Sequence, residues 1–215
     1  MKTVYLVRHG ETAANTAGVW QGADEALNNT GLKQAEIMAS RVQKLPVEVV
    51  YTSPMLRARQ TAEVLVENTE HDLVQVGLFA ERRLPSSAVG VKYEETEANP
   101  AYAFLQEWHA NWGDLDFRYE DEETVGELVE RARTALRYLA DSPENNILVI
   151  THGTILRSII NTVLHPESET DPYSIFTAGR YMETSNTGLS VITQHSSTEP
   201  WMLVTYNDQA HFAET

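Results

Sequence analysis

The sequence predicts an α/β fold: a three-layer sandwich in which a mostly parallel sheet is flanked by helices. Three observations carry this reading. Short apolar runs alternate along the chain with longer stretches of helical period. Two of those runs, Val4–Val7 and Ile147–Ile150, break off into polar groups, Arg8-His9-Gly10 and Thr151-His152-Gly153. A third run, Val47–Tyr51, feeds directly into the helix-start signal Ser53-Pro54,.

Taken in order, Thr3–Val7 reads as the first strand. Thr30 is the expected N-cap of a helix carrying Leu32, Ala35, Ala39 and Val42 on one face, ending before Pro46,. Val47–Tyr51 is the second strand, followed by a helix from Ser53-Pro54 to about Val66. Asp72–Val76 is the third strand. From Gly77 to about Asp121 strand signals are missing. Asn99-Pro100 opens a helix whose Phe104, Trp108 and Trp112, at four-residue spacing, read as core-facing,. This stretch is expected to be a mainly helical, cap-like insertion over the strand C-terminal ends. Thr124 to Glu127 has capping-box spacing and starts a helix with Leu128, Ala132, Ala135, Leu136 and Leu139 on one stripe,. Asn146–Ile150 is the fourth strand, Ile155–Leu164 a helix stopped by Pro166, and Asp171–Ala178 fits neither type. Gly188–Thr193 and Trp201–Tyr206 close the chain as two strands around a polar turn.

A chain of 215 residues suits one domain spanning 1–215, with the insertion around 77–121,. Zero cysteines exclude disulfides, thiolate metal sites and cysteine nucleophiles,. No apolar run approaches the ~18 residues a membrane span needs, and the expectation is a soluble, cytoplasmic, untargeted protein. The net charge of −15, from 16 basic and 31 acidic residues, argues against nucleic acid or anionic membrane partners,. Twelve carboxylates fall between Glu94 and Glu130, where Arg118 is the sole Lys or Arg. That stretch reads as a solvated surface, which leaves room for a local positive pocket elsewhere.

Strand ends in an open α/β sheet are where ligand-binding groups gather. An arginine beside two histidines suits a phosphate dianion, and a histidine can itself carry a phosphoryl group covalently. Arg8-His9-Gly10 at the first strand and His152-Gly153 at a late one resemble the histidine phosphatase superfamily, which includes the phosphoglycerate mutases. The segment from Val49 through Ser53-Pro54 to Arg57 and Glu63 is similar to the family's strand-to-helix segment.

The resemblance implies a role for each position. His9 is the nucleophile, neutral and with its tautomer fixed by a hydrogen bond at the other ring nitrogen. Gly10 would let backbone amides come close to the anion. His152 stabilises charge on the phosphoryl oxygens, and Arg8 and Arg57 clamp the phosphate. Arg59 lies about 200° around the helix from Arg57 and is expected in solvent. Asn15 and Thr12 of the first loop, Gln21-Gly22 and Gly153 are expected to bind substrate. Glu81 is the preferred general acid, with Glu94 and Glu95 as alternatives; Arg82 and Arg83 read as solvated, with a second substrate anion as their other option. No cofactor and no metal are expected.

The implied activity is hydrolysis of a small phosphorylated metabolite through a phosphohistidine. A mutase of this family carries an insertion rich in Lys and Arg, whereas Val89–Glu130 offers Lys92 and Arg118. Phosphatase is therefore favoured over phosphoglycerate mutase. A catalytically inactive phospholigand-binding module is the reading from another class. Neither the substrate nor the oligomeric state is legible in the sequence.

Overall fold

In the computed structural model, which describes residues 1–215 except 68, 72, 95, 97, 167–171 and 214–215, six strands form one mixed sheet. They are β1 (Lys2–Arg8), β2 (Val49–Thr52), β3 (Leu73–Gln75), β4 (Asn146–Thr151), β5 (Leu189–Gln194) and β6 (Met202–Asp208), in the order β3-β2-β4-β1-β5-β6. β1, β2, β3 and β4 run parallel. β5 pairs antiparallel with β1, and β6 antiparallel with β5.

Alternation along β1 builds the layers, since successive side chains leave opposite faces of a strand. Val4 and Leu6 pack with Ile147, Val149 and Ile192 against α5 (Val125–Asp141) and α6 (Gly153–Leu164). Tyr5 and Val7 pack with Val50, Leu148 and Ile150 against α2 (Asn29–Val42) and α3 (Leu56–Val66). Each fully buried aliphatic side chain contributes roughly 1.5–3 kcal/mol relative to exposure. Three further helices are α1 (Ala13–Ala17), α4 (Pro100–Ala110) and α7 (Pro172–Ala178). None of the described helices is long and apolar enough to cross a membrane.

The capping box of Thr124 and Glu127 forms as its spacing suggests, and Asn99 caps α4 through the Ala101 and Tyr102 amides. Other boundaries move. α2 is capped by Asn28, whose side chain accepts from Gly31 N–H, so Thr30 lies inside the helix. Ser53 does not cap α3, which starts at Leu56 behind Met55. The Ser53 amide instead continues the sheet by donating to Ile150 C=O at 3.0 Å. Trp112 lies past the end of α4 and is 41% exposed, whereas Phe104 and Trp108 are buried. Among the described residues of 77–121, α4 and the 3-10 turn Gly77–Phe79 are the helical elements, and turns and irregular backbone make up the others. The unassigned segment ends in α7, although residues 167–171 lie outside the described residues.

Candidate active site

Three adjacent strands, β2, β4 and β1, deliver their C-terminal ends to one place. His9 N–H donates to Thr151 C=O at 2.9 Å, extending the β1–β4 ladder by one residue. Ser53 N–H does the same from β2 to β4. His9, Ser53 and His152 therefore converge, and the two imidazole centroids lie 5.0 Å apart. Both histidines are buried.

Hydrogen bonds fix the state of His9. Its Nδ1 lies 2.7 Å from Gly10 C=O, a group that only accepts, so Nδ1 carries the proton,. Nε2 in turn faces the Nε–H of Arg57 at 3.2 Å, a donor, and must present its lone pair. Burial, then the charges of Arg57 and Arg8, hold the His9 pKa well below the usual histidine value,. Burial and the neighbouring His9, Arg57 and Arg8 do the same for His152. His152 Nε2 is 2.7 Å from Ser53 Oγ, and its buried Nδ1 has no partner.

Arg57 sits in the first turn of α3, buried, with Nη1 donating to Gly22 C=O at 2.6 Å. Arg8, the last residue of β1, donates Nη1 to Thr184 C=O and keeps a buried Nε without a partner. Glu81 approaches from the loop after β3. Its carboxylate accepts from the amides of Arg82 (2.8 Å), Thr154 (3.0 Å) and Ile155 (3.1 Å), the last two at the N-terminus of α6. Arg131 fastens that loop by donating to Leu78 and Ala80 C=O while paired with both oxygens of Glu123. Thr151 Oγ1 adds a bond to Phe79 C=O at 2.8 Å.

Arg8, His9, Asn15, Gln21, Arg57 and Glu81 line a cavity of about 500 Å³ whose other walls include Phe104, Trp108 and Phe176. Asn15 Oδ1 is held by the Thr12 amide at 3.2 Å, which leaves its NH2 for a ligand. Gln21 Oε1 is buried there without a partner.

Several expected roles change. Thr12 is fully buried and its hydroxyl accepts from Asn15 N–H, capping α1, so it does not line the cavity. Gly22 contributes its carbonyl to Arg57 from outside the lining, and Gly153 lies outside it too, as the first residue of α6 beside Arg8 and Glu81. The Gly10 amide is spent on Thr61 Oγ1 at 3.0 Å, so a close approach of backbone amides to the anion does not use the N–H of Gly10 itself. Gly10 is needed for close packing instead: a Cβ there would meet Gly31 C=O at 2.5 Å. Arg82 is buried and paired with a fully buried Glu122 at 2.7 Å, contrary to its solvated reading. Glu122 and Glu123 are thus structural anions within the acidic stretch, not solvated ones. Arg83 is exposed as expected, and Arg59 is half-buried outside the cavity. Glu94 does not line the cavity, and Glu95 lies outside the described residues.

Sequence reading missed Ser53, Arg157 and Arg180. Ser53 announced itself as a cap. Arg157 stands four residues past Gly153, a spacing that puts it on the same helix face, and this was the available signal. Arg180 had none. Among the described residues no group of three or more His, Asp or Glu is arranged to hold a metal ion.

The sequence profile of the histidine phosphatase superfamily (branch 1) matches residues 4–209. Serratia proteamaculans (strain 568) has a relative named "Probable phosphoglycerate mutase GpmB", 34% identical over 168 residues, 76% of this chain and 75% of that protein. The "Metal-independent phosphoserine phosphatase" of Arabidopsis thaliana is 29% identical over 214 residues, 98% of this chain and 83% of that one. In three dimensions the chain is similar to Bacillus stearothermophilus YhfR, with a TM-score of 0.80, 23% identity, and coverage of 98% of this chain and 99% of that chain.

Proposed function

The chain belongs to the histidine phosphatase superfamily (branch 1), and from that premise we propose that it hydrolyses small phosphomonoesters through a phosphohistidine on His9. One observation carries this reading: His9 Nε2 is held as a lone pair beside the permanent charges of Arg57 and Arg8, on a cavity wall shared with Glu81.

Phosphoryl transfer needs in-line attack and neutralisation of charge on the phosphoryl oxygens. His9 Nε2 attacks phosphorus while the bond to the leaving oxygen breaks. The Nε–H of Arg57 leaves Nε2 and joins Arg8 on the oxygens, as charge-assisted donors. His152 lies outside the cavity lining, its ring centre 5.0 Å from that of His9; with Ser53 donating to its Nε2, the His152 proton is on Nδ1, the unpartnered buried atom, which we assign to a phosphoryl oxygen,. The Asn15 NH2 completes the set. Glu81 gives its proton to the departing oxygen, then takes one from the water that attacks the phosphohistidine, and the N–P electron pair returns to Nε2.

Release of inorganic phosphate from a panel of phosphomonoesters by the purified chain tests this; no release from any of them would overturn it. A mutase reading is favoured by the name of the Serratia relative. Against it, Lys92 is exposed and Arg118 is paired with Glu127, and neither lines the cavity. Interconversion of 3- and 2-phosphoglycerate without net phosphate release would decide for the mutase.

A further inference from the structure

Arg157 and Arg180 line the same cavity as His9 and Glu81, yet neither belongs to the phosphate site described above. Five arginines line the cavity: Arg8 and Arg57 serve the phosphate site, Arg82 is paired with Glu122, and Arg157 and Arg180 are left with neither role. Acidic residues outnumber basic ones 31 to 16, and Arg41, Arg82, Arg118, Arg131 and Arg133 each pair with a carboxylate. Among the described residues Arg157 and Arg180 have no such partner. Arg157 makes one long bond, from Nη2 to Thr154 Oγ1 at 3.4 Å.

Local backbone brings the two together. Gly179 is buried against Arg157, and a Cβ on it would lie 3.3 Å from Arg157 Cβ. The 3-10 turn Gly179–Tyr181 therefore rests on the stem of Arg157 and carries Arg180 to the same wall. The Arg180 guanidinium lies 4.8 Å from the Trp112 ring centre and 5.7 Å from that of Trp108. Such cation–π contacts orient the group without cancelling its charge. Arg82 also lies over Trp108, at 5.8 Å, but its charge is met by Glu122. The result is an aromatic surface with two cations that no carboxylate pairs, in a cavity well beyond the size of one phosphate and within the usual range for whole ligands,.

We propose that Arg157 and Arg180 form a second anion subsite, and that the substrate is a phosphomonoester bearing a further negative group beyond an apolar body that lies against Trp108 and Phe104. The assignment of the phosphate end rests on the hydrolase reading above.

Three substrates of equal chain length separate the terms: hexyl phosphate, 6-phosphooxyhexanoate and hexane-1,6-diol bisphosphate. The wild-type ratio of kcat/KM for an anionic substrate over hexyl phosphate should be about tenfold or more, the size expected of charge-assisted hydrogen bonds. Whichever of the carboxylate and phosphate arms shows that ratio identifies the second group. In the double variant Arg157→Gln/Arg180→Gln the ratio should fall toward one, and the Arg→Lys pair should retain part of it. A wild-type ratio near one, or one unchanged in the Gln pair, overturns the subsite. Absence of turnover on all three substrates, and on p-nitrophenyl phosphate, overturns the hydrolase reading instead. The subsite is then judged by the same ratio in calorimetric Kd values, with the same two outcomes.

Discussion

Arg57 Nε lies 3.2 Å from His9 Nε2, so the guanidinium hydrogen-bonds the atom assigned to attack phosphorus. In the free protein this bond requires a lone pair on Nε2, and burial with the nearby charges of Arg57 and Arg8 keeps the ring neutral. A phosphate then competes with His9 for the same donor, and its arrival releases the nucleophile.

The pH response follows from that environment. The folded-state pKa values of His9 and His152 lie well below 6.5, chiefly through burial, so the unfolded chain takes up protons first on acidification. Stability contributed by keeping these rings neutral is intact above about pH 6.5 and is lost as pH falls below it, at up to about 1.4 kcal/mol per pH unit for each ring. Proton NMR of the two rings should show no protonation between pH 8 and 6.5. A His9 midpoint at or above 6.5 would contradict the site electrostatics.

Glu81 is testable through the leaving group. An alkoxide needs a proton to depart and a nitrophenolate does not, and general acid help of this kind is worth about 10²–10⁴-fold. Glu81→Gln should slow the pre-steady-state burst from an alkyl phosphate by about that range and the burst from p-nitrophenyl phosphate far less. Equal slowing with both would take the general-acid role away from Glu81.

Activity should survive exhaustive chelation, because Arg8 and Arg57 already supply the charge that many phosphoryl-transfer sites draw from Mg²⁺. Vanadate, which adopts five-coordinate geometry, should inhibit. Loss of turnover on chelation with rescue by a divalent ion would refute this.

Gly10→Ala should cost more than the ~1–3 kcal/mol of ordinary overpacking. The new Cβ meets the Gly31 carbonyl at 2.5 Å, and backbone cannot swing aside as a side chain can. A urea midpoint equal to that of the parent would show that the β1–α2 contact relaxes freely.

Strand–helix order and the two His-Gly strand ends were legible because they depend on short, local patterns. The same holds for Arg57, in the first turn of α3, although that helix starts at Leu56 and not at the Ser53-Pro54 signal. Locally ambiguous signals failed. Ser53 carries a helix-start signal, but its hydroxyl is drawn to His152, which is 99 positions away in the chain. Thr12 looks like a loop hydroxyl facing ligand, yet capping α1 uses it. Arg82 and Glu122 each read as surface charges, and only the fold brings them together in the interior. Arg180 reaches the cavity because Gly179 allows close packing on Arg157, a contact with no signature in either neighbourhood.

The most direct test of the central claim is to trap the phosphoenzyme. Rapid quench with a labelled phosphomonoester should give protein-bound phosphate that is acid-labile and base-stable, located by peptide mapping to His9, and absent from His9→Ala. A small residual turnover in that variant is compatible with the proposal, since binding and charge stabilisation act without the nucleophile. Undiminished turnover in His9→Ala, or label found on any other residue, would contradict it.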